Sequence, residues 1–506
     1  TANGSGVTGT IGATNALTAV QFNAGGNAIA LGGNAAATDF TYGAADVVTA
    51  AGTITGNVDF ANNAGTLNAA GLITGNVDST VGGKGTLNLT ANGSGVTGTI
   101  GATNALTVVN ASGAGTVTLG DAIDTATLNV KLNTTVKAAD ISAAAIAAIN
   151  IGEAGGAGTL EIDANAGDYA LLNATAITFT HAGSLLKLTN SAAANRVVTL
   201  HANVVPGGAA DLTGSLEINS NGTHKLDLAI NAAQTIGTDK THRLKELIVS
   251  GNKNTQIDAK IFAETITISS TADVIFDGVI DSGGASIINV TGGGIMGAPS
   301  SLGIQKNITA KALDLNNKYT NLIVSDGVDL DFNSIANGSN TTVDFTGVNN
   351  LTLQGAKVVN VAKIQAIAAG GLKVVTLDGG TYNVAEIQLA DNAVDSFLDL
   401  EDNFELTGAI NLTAGSAAGN IRFLGNGKVT GDLGSAGNAV GAVTVAGNST
   451  LQLGGNVNAT SLNANVANAQ NLKFINAAAR IVAGTVGNLR PFDQIEFSGG
   501  GKLTFG

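Results

Sequence analysis

Short internal repeats constrain the fold of this chain more than any other feature. The hexapeptide Ile54–Asp59 recurs as Ile73–Asp78, and the tetrapeptide Gly65–Asn68 recurs as Gly85–Asn88. Both recur after about 20 residues, a period typical of proteins in which one small structural unit stacks on the next. The chain is therefore expected to bury its apolar residues between consecutive repeats rather than in one globular core.

The residues within each repeat predict short β-strands. In Thr86–Thr90, Val443–Val445 and Thr450–Leu453, apolar and polar residues alternate, and such segments end at Gly, Asn, Asp or Ser. Alternation with a period of two indicates strands with one buried face. Short strands in circuits of about 20 residues predict an all-β, right-handed parallel β-helix. We expect small aliphatic side chains to fill its interior and Asn ladders to line its turns.

A longer repeat suggests a second architecture. Thr1–Thr18 is identical to Thr90–Thr107. This offset would suit a tandem array of immunoglobulin-like sandwiches, which contain about 100 residues each. The identity does not continue beyond its second copy, and the chain has no Trp for the core of such a sandwich. We therefore favour one continuous solenoid over 1–506, with a tandem-repeat part at 1–120.

Two Ala-rich stretches, near 138–151 and 358–371, interrupt the regular pattern. Ala is the best helix former, so each stretch predicts either a short helix on the solenoid or an Ala-rich buried coil. About 25 coils stacked at strand spacing would form a rod on the order of 120 Å long.

Composition and charge argue against several classes of partner. The formal net charge is −14, whereas binding to nucleic acid or to anionic lipid depends on clustered Lys and Arg. Hydrophobic residues make up 44% of the chain, which is too large a share for a disordered protein. The chain has no Cys, so a disulfide framework and a thiolate metal site are both excluded. No apolar stretch approaches the roughly 20 residues of a membrane-spanning helix.

The spacing of the four histidines is close to one coil, as in a metal-binding ladder. They are His181, His201, His224 and His242. The first two follow apolar segments and the last two precede them, so they are expected at opposite ends of strands. A single ladder cannot combine both ends. We predict neither a metal site nor a cofactor.

Two acidic clusters are candidates for calcium binding or for acid–base chemistry. They consist of Asp326, Asp329 and Asp331, and of Asp395, Asp399, Glu401, Asp402 and Glu405. Apolar residues alternate with the carboxylates, as Leu330 does between Asp329 and Asp331. The alternation places these carboxylates on the solvent face of strands, and a solvated face is the favoured interpretation.

A glycan-active enzyme on a β-helix is the alternative from another functional class. The clefts of such enzymes combine Asp, Lys and Arg with aromatic platforms for sugar rings. The corresponding residues are dispersed along this sequence: Tyr42, Tyr169, Tyr319 and Tyr382, and Arg196, Arg243, Arg422, Arg480 and Arg490. They form no convergent set, so we predict no catalytic residue.

Two further motifs have weak support as binding sites. Gly155–Leu160 begins like a calcium-binding nonapeptide, but Leu160 stands where that motif needs Asp, and no tandem copies follow. Basic residues concentrate at Lys240, His242, Arg243 and Lys245, with Lys253 and Lys260 beyond them. Acidic residues interleave with this group, so a mixed solvent face is favoured over a docking site for an acidic partner.

Several phrases of the sequence resemble a known family of surface proteins. They include Ala148–Gly152 and Ala446–Asn456, within long strings of Gly, Ala, Asn and Thr. Together they resemble the passenger region of the rickettsial outer membrane autotransporters, the surface antigens OmpA and OmpB. The duplicated segment near the start resembles the tandem repeats of OmpA. The general likeness covers the whole chain, and the specific phrases cover a smaller part of it.

The resemblance implies a protein on the surface of a Gram-negative bacterium, exported through a C-terminal membrane barrel that this chain lacks. It also implies a surface layer and a role in attachment to and invasion of host cells, with a host cell-surface protein as partner. A self-assembling lattice protein without receptor binding is the second hypothesis. The glycan-active enzyme is the third. The resemblance carries no site residue onto this sequence.

Overall fold

The computed structural model consists of two compact units, Thr1–Ile266 and Thr267–Gly506. Over the described residues, the regular structure is entirely β. The structure describes residues 4–120, 122–138, 146–164, 169–171, 176–200, 203–207, 212–221, 224–230, 234–281, 283–284, 286–345, 349–368, 374–391, 397–413, 419–466, 469–475 and 478–506. No helix long and apolar enough to cross a bilayer occurs within these ranges.

The first unit is a stack of short strands that pair in parallel from one coil to the next. Leu67 pairs with Leu87, and Leu87 pairs with Val109 of the coil after it. The strands that begin in this unit are β1 Ser5–Val7, β2 Leu17–Phe22, β3 Ala28–Leu31, β4 Ala35–Tyr42, β5 Val47–Ala50, β6 Ile54–Asp59, β7 Thr66–Ala69, β8 Leu72–Thr74, β9 Val77–Asp78, β10 Lys84–Leu89, β11 Gly95–Val96, β12 Leu106–Ala111, β13 Gly115–Leu119, β14 Thr125–Val130, β15 Thr134–Ala138, β16 Ala148–Ile151, β17 Thr159–Asp163, β18 Tyr169–Leu171, β19 Ala176–Phe179, β20 Leu185–Thr189, β21 Arg196–Leu200, β22 Asn203–Pro206, β23 Ser215–Ser220, β24 Leu226–Ile230, β25 Thr235–Ile236, β26 Leu244–Gly251, β27 Thr255–Asp258, β28 Lys260–Ile261 and β29 Ala263–Ile268.

The second unit has the same parallel pairing, and a few of its strands are much longer than those of the first unit. Ile364 pairs with Ile387, and Ile387 pairs with Ile410. Its strands are β30 Val274–Phe276, β31 Ile280–Asp281, β32 Ile287–Val290, β33 Ser300–Ile304, β34 Ile308–Thr309, β35 Ala312–Asp314, β36 Thr320–Val324, β37 Asp329–Phe345, β38 Asn349–Ala368, β39 Val374–Leu377, β40 Gly380–Asp391, β41 Phe397–Leu400, β42 Phe404–Leu406, β43 Ala409–Leu412, β44 Asn420–Phe423, β45 Gly427–Val429, β46 Val440–Val445, β47 Thr450–Leu453, β48 Val457–Ala464, β49 Asn471–Phe474, β50 Arg480–Val486, β51 Gln494–Phe497 and β52 Leu503–Phe505.

The coil length confirms a β-solenoid and refines its period. A turn contains about 23 residues, slightly more than the repeats of the sequence suggested. Near the middle of the first unit the coils are longer still, since Leu186 pairs with Leu216, and Leu216 pairs with Leu247. The last of these coils contains an outward turn at Asp239–His242. Because a solenoid requires register only in its strands, its corners can accept extra residues.

A coil of the second unit has three sides. Strand β37 pairs successively with β34, β35 and β36 of the preceding coil. Its pairing with β38 shifts register between Phe332 and Ser334 and again on both sides of Gly338. Irregular pairing of this kind lets a strand bend. One long strand therefore passes around the corners without a break.

The Ala-rich stretches form strands over most of their described residues, although 146–147 lie before β16 begins. Ala148–Ile151 is β16, and 358–368 belongs to β38. The residues 139–145 and 369–371 lie outside the described part of the chain. A short helix is therefore wrong for 148–151 and 358–368, and the strands there fit the alternative of a buried Ala-rich coil.

The core is richer in aromatic residues than the sequence suggested. The rings of Phe22 and Tyr42 lie 5.2 Å apart and those of Tyr42 and Phe60 lie 4.7 Å apart, one on each successive coil. The first pair is edge-to-face and the second is tilted, and such ring pairs gain energy beyond their buried area. A Cβ at Gly85 would come within 2.3 Å of the Phe60 ring, so glycine makes room for the ring there.

An Asn ladder is present, although not at the turns where it was expected. Each Asn Nδ2 donates to the Oδ1 of the Asn one coil earlier, at 2.7, 2.7, 2.8 and 2.8 Å. The ladder consists of Asn68, Asn88, Asn110, Asn129 and Asn150. These residues lie on the outward side of the strands β7, β10, β12, β14 and β16. In-register parallel pairing puts identical side chains at hydrogen-bond distance, and such pairing is found in strands rather than at corners.

Candidate functional site

The described histidines are separated by the topology of the solenoid. His181 follows β19, His224 precedes β24 and His242 precedes β26. These strands belong to different stacks, because β19 pairs with β22, β24 with β21 and β26 with β23. His201 lies outside the described residues. The coils of this region are also longer than the spacing between the histidines, so the histidines do not stand opposite each other on successive coils.

Asp329 and Asp331 of the first acidic cluster lie on the outward side of β37, as the alternation predicts, whereas Asp326 lies in the exposed turn before this strand. Asp329 is exposed, while Leu330 and Phe332 on either side of Asp331 are buried. Asn307 and Asn350 of the neighbouring coils both donate to the Asp329 carboxylate, at 3.4 and 2.7 Å. The Asp329 carboxylate therefore accepts hydrogen bonds from the coil on either side and connects the two coils.

A shallow groove of about 550 Å³ runs along this acidic face. Its described lining contains the carboxylates of Asp329, Asp331, Asp378 and Glu401 and no Lys or Arg. Among the described residues, no group of three or more His, Cys, Asp or Glu side chains is arranged to hold a metal ion. The groove is therefore an acidic surface feature.

The second acidic cluster contains one residue that is not solvated. Asp399 is only 6% exposed, because Arg422 of the next coil covers it. The Arg422 Nε and Nη2 donate to the two carboxylate oxygens of Asp399, each at 2.6 Å. The same guanidinium lies 4.1 Å above the centre of the Phe397 ring. The expectation of a solvated face is wrong for Asp399, whereas Asp402 and Glu405 are exposed and Asp395 lies outside the described residues.

Several of the described tyrosines and arginines lie in the core or contact a neighbouring coil. Tyr42 and Tyr382 are buried in the two cores, and burial raises the pKa of both phenols above the ordinary value. Arg480 Nε donates to the Gly454 carbonyl at 3.0 Å, and Arg490 donates to the Asn465 carbonyl. Like Arg422, these arginines connect one coil to another.

The basic concentration near Lys240 is a mixed surface. Asp239 accepts hydrogen bonds from the Thr241 hydroxyl and backbone N–H, both at 2.7 Å, and these bonds lower the pKa of Asp239 to about 2. His242 Nδ1 lies 3.1 Å from the same carboxylate. Lys260 lies with its Nζ 4.9 Å above the Phe262 ring. The positive charges of this region are thus interleaved with local acidic and aromatic partners.

Within the described part of the chain, four outward turns have the same antiparallel bridge between their first and last residues. They are Glu153–Gly156, Asp239–His242, Ile295–Ala298 and Ser435–Asn438. The turn at Ile295–Ala298, here called the apolar hairpin, differs from the other three in its side chains. Ile295 is 72% exposed and Met296 is 79% exposed, whereas most of the described Ile residues are buried in the core. Sequence reasoning missed this feature, although an apolar pair before Gly297 was a visible signal.

The apolar hairpin is closed by backbone hydrogen bonds. Ile295 N–H donates to the Ala298 carbonyl at 3.1 Å and Ala298 N–H donates back at 2.9 Å. Gly297 has a φ of +88°, which suits glycine in a tight turn. Its base is fixed by the Gly294 N–H, which donates to the Tyr319 carbonyl at 3.0 Å. The two apolar side chains are therefore presented to solvent by an ordered turn.

Comparison with characterised proteins identifies the relatives of this chain. It is 30% identical over 377 residues to outer membrane protein A of Rickettsia conorii and, over the same length, to outer membrane protein A of Rickettsia rickettsii. It is 31% identical over 379 residues to outer membrane protein B of Rickettsia japonica. The chain is a homologue of the rickettsial outer membrane proteins A and B. No family model and no solved structure matches it.

The alignments with outer membrane proteins A and B include most of this chain and a small part of each relative. They cover 72% of the chain in the two protein A comparisons and 68% in the protein B comparison. The chain spans 17%, 15% and 21% of the length of these relatives. The suspected family is therefore confirmed, and with it a location at the outer membrane or cell surface of a Gram-negative bacterium.

Proposed function

We propose that this protein is a surface-displayed scaffold that attaches the bacterium to host cells through the apolar hairpin. The homology to outer membrane proteins A and B supports a surface protein, and their names describe no enzyme activity. The observation that carries the proposal is the exposure of Ile295 and Met296 on an ordered turn. An exposed apolar pair of this kind is typical of a contact anchor.

A matched turn shows that the fold does not require apolar side chains at this position. Ser435–Asn438 has the same bridge, with hydrogen bonds of 3.1 and 3.0 Å between its ends, and Gly437 has a positive φ of +112°. Its first two residues are Ser435 and Ala436 in place of Ile295 and Met296. Because small and polar residues form the same turn, the folding of the turn does not explain why the apolar hairpin has Ile295 and Met296 at these positions.

The proposed partner is a host cell-surface protein with an apolar pocket. Full burial of an Ile or Met side chain contributes about 1.5–3 kcal/mol, so two side chains can supply much of the energy of a weak contact. A lipid bilayer is a poorer partner, since the net charge of −14 opposes approach to anionic lipid. Invasion, if it follows attachment, depends on the same contact in this proposal.

Beads coated with the purified protein test attachment directly. Coated beads should bind host cells more strongly than uncoated beads, and the double variant Ile295→Ser, Met296→Ser should bind at least about tenfold more weakly, because about 1.4 kcal/mol corresponds to one decade. The matched control is Ser435→Thr, Ala436→Ser in the other turn, which should leave binding unchanged. Coated beads no stickier than bare ones would remove the adhesive function, and a double variant that binds normally would remove the hairpin from it.

A self-assembling lattice is the second candidate function, and a different observation favours it. The outward columns of Thr and Asn in the first unit form a regular face without charged side chains. Such a face can contact a second copy without the cost of desolvating a charge. The two candidate functions use different units of the chain, so one protein can perform both.

A further inference from the structure

Met296 holds the single sulfur atom of this chain, and it lies at the tip of the apolar hairpin. The sequence contains one Met, no Cys and no Trp. Met296 is 79% exposed, and Gly297 beside it faces open space. Ile295, Ala298 and Pro299 are exposed as well. A peroxide molecule can therefore reach the thioether from solvent without any movement of the protein.

A water-accessible thioether reacts with hydrogen peroxide by transfer of one oxygen atom. A sulfur lone pair attacks one peroxide oxygen, so the S–O bond forms as the O–O bond breaks. The hydroxide that leaves takes the proton of the transferred oxygen and becomes water, so the sulfur has lost two electrons and the peroxide has gained them. The product is methionine sulfoxide, a polar group that methionine sulfoxide reductases return to the thioether. Because the chain has no other Met and no Cys, this reaction has one sulfur target.

The turn itself does not depend on an apolar side chain at position 296. Its ends are joined by the two backbone hydrogen bonds between Ile295 and Ala298, at 3.1 and 2.9 Å. In the turn Asp239–His242, which has the same bridge, the second position is occupied by Lys240. A long polar side chain therefore fits this position, and a sulfoxide on Met296 should leave the fold intact.

The location of the protein exposes this sulfur to oxidants outside the cell. Homology to outer membrane proteins A and B assigns the chain to the outer membrane or cell surface. Glutathione and thioredoxin keep sulfur groups reduced in the cytosol, whereas the extracellular environment is oxidising. Peroxide in the medium therefore reaches Met296 before it meets a cytosolic reductant.

We propose that Met296 is a reversible oxidation site for hydrogen peroxide, and that its sulfoxide weakens the contact made by the apolar hairpin. The weakening rests on the attachment function proposed above, whereas the oxidation itself needs no host partner. In an apolar pocket the S–O dipole of the sulfoxide has no hydrogen-bond partner, and burial of such a group is costly. Ile295 is not oxidised and keeps its apolar contact. Attachment should therefore weaken about tenfold rather than disappear.

Mass spectrometry of the intact chain tests the oxidation site. Dilute hydrogen peroxide should add about 16 Da, the mass of one oxygen atom, and then nothing further. The rate should lie within about threefold of that of a blocked free methionine, because the Met296 side chain is largely exposed. Met296→Leu should gain no oxygen under the same conditions. A rate at least about tenfold slower, or an equal gain of mass in Met296→Leu, overturns the site.

Binding of coated beads to host cells tests the effect of the sulfoxide, with each form compared before and after peroxide treatment. The oxidised parent should bind about tenfold more weakly, and methionine sulfoxide reductases of both epimer specificities should restore its binding. Met296→Leu should keep its own starting level after the same treatment. Unchanged binding of the oxidised parent overturns the weakening. Equal melting temperatures before and after oxidation show that the fold is intact.

A variant that moves the sulfur to the matched turn is the control for unspecific damage. Met296→Leu, Ala436→Met should take up one oxygen as readily as the parent, because Ala436 is exposed on the turn Ser435–Asn438. Its binding should not respond to that oxidation, and an equal loss of binding in this variant contradicts the proposal. If the untreated parent binds no better than bare beads, the attachment function fails and the weakening with it, while the mass measurement still decides whether Met296 is the oxidation site.

Discussion

The buried ion pair between Asp399 and Arg422 gives the sharpest test of how consecutive coils are held together. The variant Arg422→Met removes the guanidinium and keeps much of the apolar stem that packs on Phe397. It leaves the Asp399 carboxylate without its two hydrogen bonds of 2.6 Å. The side chain of Asp399 is 9% exposed, so water cannot readily replace the lost partner.

The expected cost follows from the burial of the two partners. Removal of one member of a buried pair costs about 3–5 kcal/mol. Since the Arg422 side chain is 36% exposed, part of this energy is screened, and we expect about 2–3 kcal/mol here. Hydrogen exchange of the amides in β41 and β44 should report this loss. At about 1.4 kcal/mol per decade, exchange through local opening should accelerate roughly 30- to 150-fold.

Two control variants complete this experiment. Lys428→Met breaks the pair with Glu405, which spans 3.8 Å and joins side chains 37% and 55% exposed, and should cost less than about 1 kcal/mol. The double variant Asp399→Leu, Arg422→Met removes both charges and should recover to within about 1 kcal/mol of the parent. If Arg422→Met accelerates exchange no more than Lys428→Met does, the reasoning about burial is refuted.

Three further predictions concern stability. Gly85→Ala should destabilise the first unit by about 1–3 kcal/mol, because the φ of Gly85 is +77° and the added Cβ would meet the Phe60 ring. Gly83 has a similar φ of +73° but faces open space, so Gly83→Ala should lower the melting temperature less. Asn110→Ala interrupts the Asn ladder and should cost about 1–2 kcal/mol, seen as faster hydrogen exchange in β10 and β14; exchange at the parent's rate contradicts this prediction. Burial is the larger cause of a raised pKa of Asp124, and the negative charge of Asp78 raises this pKa further. The charged form of Asp124 therefore destabilises the fold, and stability is lost as the pH rises through the raised pKa. Asp124→Asn should therefore have a higher melting temperature than the parent at neutral pH, and no advantage below about pH 4. Equal melting temperatures at neutral pH would contradict the predicted destabilisation by the Asp124 charge.

The solenoid could be predicted because its signal is local and repeated. The recurrence of Gly65–Asn68 at Gly85–Asn88 matches strands β7 and β10, which pair directly. Alternation also identified the outward side of β37 correctly. Both features follow from the period of two in a strand and the nearest-neighbour stacking of coils.

The contacts between coils could not be predicted, because they depend on the length of each coil. Asp399 and Asp329 stand in similar alternating sequences, yet one is covered and the other is exposed. Which residue stands opposite each of them depends on a coil length that varies along the chain. The coil from Val109 to Leu128 is short, whereas the coil from Leu216 to Leu247 is much longer. The same uncertainty of register concealed the continuous Asn ladder.

Buried polar groups in the corners were also beyond sequence reasoning. Asp46 is fully buried, and its carboxylate accepts backbone N–H bonds from Ala24, Gly26 and Asn27 at 2.8, 2.8 and 3.2 Å. A lone Asp between apolar residues predicts a turn or a solvated position. Only the folded path of 24–27 brings three donors to one carboxylate, and such bonds compensate the burial of its charge.

The most direct test of the parallel solenoid is disulfide formation between designed pairs within one molecule. Thr116 and Thr135 stand opposite each other on β13 and β15, where adjacent strands are about 4.8 Å apart, a distance that a disulfide can bridge. The pair Thr116→Cys, Thr135→Cys should oxidise readily, and Thr116→Cys, Lys137→Cys, about 8 Å apart and out of register, should not. Rapid oxidation of the second pair without the first would contradict the coil-to-coil register on which the whole architecture rests.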